Sequence, residues 1–307
     1  MLDLNTYRFV QEHDFLLLPA LELRKYEWAS LEVYTDLVRS RLSHYRSKYD
    51  LLGWFKFWTE DWRLVSPFAG KDNYEQLKET SSQCHDKALK RIFSSYKDSK
   101  YIHQGYDIWN ALDLYIIFEQ QLDIGNILDF GAGYGRLGLV LGQNARVKNY
   151  LAIDSVELSY MLQNLTLSIS FPEKFYEYIE YEFERKAFII DLHNQSGIYH
   201  LPTWKWDLVP DSTLDLIIAV FVLPEINEFA LKEFIQQSSR TLKVGGHIYI
   251  RDHLYTTGKN NHKGAHQLNT EDLLKNCGFQ VSYQSGLVDN KDIYGIPRIY
   301  QYLGTNN

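Results

Sequence analysis

Residues 126–140 read NILDFGAGYGRLGLV, an apolar strand that ends in a carboxylate, followed by a glycine turn and the start of a helix. Asp129 ends the predicted strand, and Gly131, Gly133 and Gly135 alternate through the turn. Because glycine has no Cβ, the backbone amides of such a turn can approach a ligand that a side chain would keep away. The stretch therefore predicts an α/β fold with a binding site for a nucleotide-containing cofactor.

Two classes of cofactor, NAD and S-adenosylmethionine, are bound by turns of this kind. From Gly133 onward the sequence GYGRLG also satisfies the dinucleotide pattern G-x-G-x-x-G. Asp154 closes the next apolar run, close to the offset of about 20 residues at which a ribose-binding carboxylate is expected. These two features fit both cofactors, so the choice depends on the rest of the chain.

Three further features favour S-adenosylmethionine. The carboxylate of Asp129 can attract the ammonium group of a methionine moiety at short range. The helix that follows the glycine turn is the first of a regular series of alternating strands and helices. The later strands of this series are predicted at 150–154, 214–221 and 247–252. The β-rich segments 279–284 and 297–303 then predict a terminal β-hairpin. A parallel sheet closed by such a hairpin is absent from the NAD-binding plan.

On these motifs, residues from about 124 to 303 resemble a class I S-adenosylmethionine-dependent methyltransferase. The resemblance implies an α/β fold with a Rossmann-like, mostly parallel seven-stranded sheet that ends in a C-terminal β-hairpin. An α-helical N-terminal region precedes the sheet. We therefore expect a helical, aromatic-rich cap or substrate region at 1–115 and a methyltransferase domain at 116–307.

A second resemblance concerns the methyl acceptor. Residues 201–226 are similar to bacterial sugar O-methyltransferases, and Pro202, Asp215 and Glu225 match that family, although FVLP at 221–224 replaces a more polar run. The expected reaction is O-methylation of a sugar or other small-molecule hydroxyl in glycan or natural-product biosynthesis. The alternatives are methylation of a peptide or protein, N-methylation of a small molecule, and a partner subunit without catalysis. The intact glycine turn argues against the last.

The resemblance also implies which residues bind the cofactor. They are Asp129, Gly131, Gly133, Gly135, Asp154, Asp207, Leu208 and Phe221. Asp129 and the glycines would hold the methionine end, and Asp154 would hold the ribose hydroxyls. Asp207, with its neighbours Trp206 and Leu208, would hold the adenine, and Phe221 would form a wall of the cleft beneath the methionine.

His253 and Glu225 are the predicted catalytic bases. Both follow predicted strands, and ligands of open α/β sheets bind outside the carboxyl ends of strands. The ordinary pKa of a histidine suits His253 to take a hydroxyl proton near neutral pH, whereas Glu225 rests on the resemblance to sugar methyltransferases. A helix-capping or surface role is the alternative for each residue.

A metal site is not expected. His262 and His266 in NHKGAH have a spacing that two metal ligands on a helix would use. However, Gly264 between them disfavours a helix, and no carboxylate nearby completes a ligand set. A mobile polar loop over the acceptor pocket is the favoured interpretation.

Aromatic residues form local clusters in the part of the chain before the glycine turn. They include Trp54, Phe55, Phe57, Trp58, Trp62, Tyr101, Tyr106 and Trp109. Aromatic faces stack on sugar rings and on aromatic substrates, but core packing of a small helical region is the favoured interpretation of these residues. Apolar spacings of three and four residues predict amphipathic helices at 21–49 and 72–96. We expect this region to cover the cleft and to contact the acceptor.

Composition narrows the class of protein. The chain has 307 residues, of which 45% are hydrophobic, so it can bury a full core. A net charge of −7 argues against nucleic-acid binding. The chain contains neither a run of about 18 apolar residues nor a secretory signal, and its two cysteines form no motif, so we expect a cytoplasmic enzyme without membrane contact. The acidic, tyrosine-rich segment 173–185 is predicted to be a solvated helix, with a lid or a homodimer contact as alternatives.

Overall fold

The structure is a computed structural model that describes residues 2–16, 18–23, 25–26, 66–93, 106–252, 268–286 and 295–304. Its helices are α1 (Leu4–Leu16), α2 (Ala20–Leu23), α3 (Asp72–Ile92), α4 (Tyr106–Glu119), α5 (Arg136–Leu141), α6 (Glu157–Ser170), α7 (Tyr178–Phe183), α8 (Glu228–Thr241) and α9 (Thr270–Asn276). Its strands are β1 (Asn126–Phe130), β2 (Asn149–Asp154), β3 (Phe175–Glu177), β4 (Gly197–Pro202), β5 (Leu214–Val220), β6 (Leu242–Asp252), β7 (Phe279–Gln284) and β8 (Ile296–Tyr302). Short 3-10 helices cover Thr203–Leu208 and Leu223–Glu225.

The strands form one sheet in the order β3-β4-β2-β1-β5-β6-β8-β7. Strands β1 to β6 pair in parallel, whereas β8 is antiparallel to both β6 and β7. The predicted Rossmann-like, mostly parallel sheet with a C-terminal hairpin and preceding helices is therefore confirmed. The order of the strands reverses between the neighbouring strands β1 and β5, and such a switch point is where open α/β sheets bind ligands.

The sheet has eight strands rather than the expected seven. The additional strand is β3, a three-residue edge strand within the segment that was predicted to be wholly helical. The carboxylate of Glu177 accepts hydrogen bonds from the backbone N–H groups of Ile179 and Glu180 at 3.0 and 2.6 Å. This cap sets the start of α7 at Tyr178, and it leaves the three residues before the helix extended against β4.

The helices before β1 share a core with the sheet. Tyr74 and Leu89 of α3 and Leu112 of α4 belong to the same buried cluster as Ile127 of β1 and Tyr150 of β2. The predicted helix at 72–96 is confirmed over Asp72–Ile92 as α3, and residues 94–96 lie outside the described residues. The expected domain boundary between residues 115 and 116 falls within α4, and the division into two domains stays a prediction.

The opposite face of the sheet is covered by α1 and α8. Tyr7 and Val10 of α1 and Phe234 of α8 pack there with Leu128 of β1 and Leu151 of β2. Residues 27–65, which hold most of the predicted 21–49 helix and the aromatic cluster Trp54, Phe55, Phe57, Trp58 and Trp62, lie outside the described residues, as does Tyr101. Within the described ranges, no helix combines the length and hydropathy that crossing a membrane requires.

Candidate active site

The turn after β1 has a backbone that only glycine adopts readily. The φ angles of Gly131, Gly133 and Gly135 are +70°, +62° and +80°. A Cβ on Gly131 would lie 2.7 Å from Cγ2 of Val222, whereas a Cβ on Gly133 would meet no described atom within 4 Å. Gly131 is therefore required by packing. Gly133 exposes bare backbone on an open side, where a ligand can approach.

Asp154 is tied to this turn by hydrogen bonds. It is the last residue of β2, and only 2% of it is exposed. The Gln163 side-chain amide donates to the carboxylate of Asp154 and to the carbonyl of Gly133, both at 3.0 Å. Burial raises the pKa of Asp154 to about 7, although backbone N–H groups of Val156, Gly133 and Ser155 donate to it and oppose the rise. The predicted ribose ligand and the glycine turn thus form one unit.

Asp129 lies one residue before the end of β1 and is buried. Its Oδ2 accepts a hydrogen bond from the Tyr150 hydroxyl at 2.5 Å. Burial raises the pKa of Asp129 to about 6, while the Tyr150 bond and the positive charge of Arg136 lower it. The predicted contact of Asp129 with a methionine ammonium is untested and stays a prediction.

Glu225 ends the 3-10 helix that follows β5 and is half-buried. Burial, and then the negative charge of Asp154, raise the pKa of Glu225 to about 8. The predicted base and the predicted ribose ligand therefore lie within electrostatic reach of each other. His253 lies outside the described residues. Asp252, directly before it at the end of β6, pairs with Arg298 of β8.

Phe221 has a strained backbone at the end of β5. Its φ is +56°, which is costly for an aromatic residue and is most often retained at functional sites. The guanidinium carbon of Arg251 lies 4.5 Å from the ring centre of Trp109 and 4.6 Å from that of Phe221. The two rings are 5.7 Å apart and nearly perpendicular. Trp109, from the helical region before β1, thus lies beside the predicted cleft wall, whereas the side chain of Tyr106 lies outside the described part.

A buried ion cluster beneath this stack was not predicted. Asp113 of α4 accepts hydrogen bonds from Arg136 at 2.7 Å, from Arg251 at 2.5 and 3.0 Å, and from the Tyr249 hydroxyl at 2.7 Å. Burial alone would raise the pKa of Asp113, but the charges of Arg251 and Arg136 outweigh it and lower that pKa. A signal was present in the sequence, because charged residues within apolar stretches such as ALDLYII and IYIRD require partners.

The predicted adenine contacts fall on the 3-10 helix after β4. Asp207 is exposed and Leu208 is half-buried, whereas Trp206 is 3% exposed and packs on Phe130 and Phe234. The indole N–H of Trp206 and the hydroxyl of Thr203 are buried without a hydrogen-bond partner among the described residues. Buried donors without a partner are uncommon in proteins and are often satisfied by a water or a ligand.

These two donors line a small cavity at the carboxyl edge of the sheet. Ser155, Ile226 and Tyr26 also line it, and its volume is about 20 Å³, which is room for about one water molecule. Tyr26 stacks on Phe15, with ring centres 6.4 Å apart.

One described group has a spacing that a metal ion could use, formed by His13, Asp14 and Glu182. The carboxylate of Asp14 already accepts from the Trp204 indole at 2.9 Å and pairs with the Lys205 ammonium at 3.0 Å. His262 and His266 lie outside the described residues. These contacts give Asp14 a structural role between α1 and the loop after β4.

The sequence matches no family model and no curated protein. Among solved structures, a TehB-like SAM-dependent methyltransferase from Corynebacterium glutamicum is similar over 72% of this chain and 98% of its own, at 14% identity and a TM-score of 0.41. A SAM-dependent methyltransferase from Aquifex aeolicus is similar over 72% and 97%, at 16% identity and a TM-score of 0.38. The [4+2]-cyclase SpnF is similar over 74% and 97%, at 13% identity and a TM-score of 0.43.

Proposed function

We propose that this chain is an S-adenosylmethionine-dependent methyltransferase. The observation that carries the proposal is the open backbone of Gly133, joined through Gln163 to the carboxylate of Asp154 at the switch point of the sheet. A turn that binds a nucleoside needs this pair, since one part approaches the ligand closely and the other accepts from ribose hydroxyls. The hairpin of β7 and β8 favours this cofactor over NAD.

The residues around the turn suit the parts of this cofactor. Asp154 would accept from the ribose hydroxyls, and Asp129 would attract the ammonium of the methionine end. The Trp206 indole N–H and the Thr203 hydroxyl would donate to ring nitrogens of adenine, once the small cavity that they line widens. Asp207 and Leu208 would border the adenine edge.

The bound cofactor would supply a methyl group already activated on a sulfonium, so the protein mainly aligns the acceptor and removes its proton. We propose Glu225 and His253 as the groups that take this proton from a hydroxyl. A carboxylate whose pKa is about 8 is a far stronger base than an ordinary one. It is largely protonated at neutral pH, so its action as a base increases as the pH rises through that value.

The proposed acceptor is the hydroxyl of a sugar or other small molecule. Trp109 and Phe221 support this class, because their rings meet at the end of β5 and aromatic faces stack on the C–H face of sugars. The same geometry would admit an aromatic hydroxyl. Methylation of an amine or a peptide is the alternative.

Titration calorimetry tests the cofactor, and transfer of a labelled methyl group tests the acceptor. We expect binding of S-adenosylmethionine and of S-adenosylhomocysteine, but not of NAD. Binding of NAD alone would contradict the proposal. A panel of sugar hydroxyls, phenols, amines and peptides then separates the acceptor classes, and labelling of amines alone would replace O-methylation by N-methylation.

A further inference from the structure

Tyr134 is the residue between two glycines of the turn, and it is held from two sides. Its carbonyl accepts a hydrogen bond from the Thr166 hydroxyl of α6 at 2.5 Å. Its own hydroxyl lies 2.9 Å from Nε2 of His85 on α3, 49 positions earlier in the chain. Both Tyr134 and His85 are buried. The turn is therefore held in two ways. The Tyr134 side chain is bonded to α3, and a side chain of α6 is bonded to the backbone of the turn.

The direction of the Tyr134 bond follows from the other ring nitrogen of His85. Nδ1 lies 2.8 Å from the carbonyl oxygen of Ser81, which can only accept, so Nδ1 carries a proton. In the neutral ring Nε2 is then an acceptor, and the Tyr134 hydroxyl donates to it. The side-chain amide of Asn110 also approaches Nε2, at 3.4 Å, as a second donor.

Asn110 extends the same network to the other side of Gly135. Its amide nitrogen donates to the Ser81 hydroxyl at 2.8 Å, and its oxygen accepts from Arg136 at 2.6 Å. Arg136 is the first residue of α5, directly after the turn. The residues on both sides of Gly135 are thus bonded to α3 and α4.

We propose that His85 is a positioning residue for cofactor binding. By accepting a hydrogen bond from the Tyr134 hydroxyl, it holds the peptides on either side of Tyr134 in the orientation that the cofactor requires. A turn with three glycines in five positions would otherwise be ordered only on binding, at a cost in conformational entropy that weakens affinity. The inference rests on the proposed cofactor, and it makes α3 part of the cofactor site.

Two variants remove the bond, and a third is the matched control. Tyr134→Phe deletes the donor and keeps the ring, and His85→Leu deletes the acceptor. Tyr115→Phe deletes a hydroxyl of α4 that accepts from Lys71 at 3.2 Å, in the same helical layer. We would measure the affinity for S-adenosylhomocysteine by calorimetry and the hydrogen exchange of amides 131–136 in the ligand-free proteins.

We expect Tyr134→Phe and His85→Leu each to weaken the affinity roughly three- to tenfold, the factor given by one net hydrogen bond. Exchange of amides 131–136 should become faster in both, and the double variant should be no weaker than either single variant. Tyr115→Phe should change neither quantity.

Unchanged affinity and exchange in Tyr134→Phe would overturn the inference, as would equal changes in Tyr115→Phe, which would indicate general loosening of the helices. If the unaltered protein binds neither S-adenosylmethionine nor S-adenosylhomocysteine, the proposed function fails instead. Exchange in the ligand-free proteins would still decide whether His85 holds the turn.

Discussion

Asp113 accepts a hydrogen bond from Nε of Arg251 at 2.5 Å, and neither side chain is more than 1% exposed. Removal of one partner from a buried ion pair leaves a charge in a medium of low polarity, which costs about 3–5 kcal/mol. Asp113→Ala should therefore lower the free energy of unfolding by about that amount, measured by denaturant titration. Asp211→Ala is the control, because its pair with Arg240 is exposed and should contribute about 0–1 kcal/mol. Equal effects of the two substitutions would contradict the role assigned to burial.

Three buried carboxyl groups should make the protein more stable in mild acid. The pKa values of Asp129, Asp154 and Glu177 are raised, mainly by burial, to about 6, 7 and 7 from ordinary values of 3.8, 3.8 and 4.5. A folded state with raised pKa values binds protons more tightly than the unfolded state. The stabilisation is then complete below about pH 4 and is lost as the pH rises through 6 to 7.

We expect the free energy of unfolding to fall between pH 5 and pH 7 by about 1 kcal/mol or more per pH unit. Denaturant titrations at fixed ionic strength would measure this. Glu177→Gln should reduce the slope of this pH dependence. It should leave the glycine turn after β1 unaltered, because Glu177 lies at the start of α7 and not in that turn. Stability that is constant or increasing over this range would show that these carboxyl groups are not buried as described.

Because of Glu225, the rate of methyl transfer should depend on pH in the alkaline range. With a pKa of about 8, the carboxylate that can take a proton becomes more abundant as the pH rises through 8, and turnover of a hydroxyl acceptor should increase with it. Glu225→Gln should remove this dependence and lower turnover by about 10²- to 10⁴-fold, with the affinity for S-adenosylhomocysteine nearly unchanged. His253→Ala is the parallel experiment for the second candidate base. Full activity in the double variant would exclude both residues as the base.

Gly133 and Gly70 form a matched pair for testing the ligand side of the turn. Both have positive φ, +62° and +85°, and an added Cβ would meet no described atom within 4 Å at either position. Alanine at each should cost about 1–2 kcal/mol of stability through backbone strain. Gly133→Ala alone should also abolish or strongly weaken S-adenosylhomocysteine binding in calorimetry. Normal binding by this variant would mean that the open side of Gly133 does not face the cofactor.

Much of the fold follows from patterns that are local in the sequence. The glycine turn, the carboxylate at the end of β2 and the apolar runs of β5 and β6 each need only a few adjacent residues to be recognised. Contacts between distant positions are different. An acid in an apolar helix shows that Asp113 needs a cation, but nothing local to it indicates Arg251, which is 138 positions away. The bond between His85 and Tyr134 was missed for the same reason.

The edge strand β3 shows another limit of predicting structure from the sequence. A segment rich in glutamate and tyrosine has the composition of a solvated helix, and its last residues do form α7. Whether the helix begins at residue 173 or at Tyr178 depends on whether Glu177 caps it and on whether β4 offers a free edge. Neither condition is visible in composition.

The position of β8 between β6 and β7 has a consequence for the order of assembly. Ribosomes make β7 before β8, so β7 emerges with no neighbouring strand to pair and must remain unpaired until β8 is synthesised. Arg298, the partner of Asp252, arrives with β8. The carboxyl end of β6 therefore acquires this partner late during translation, and a nascent chain that has exposed the complete glycine turn still lacks it.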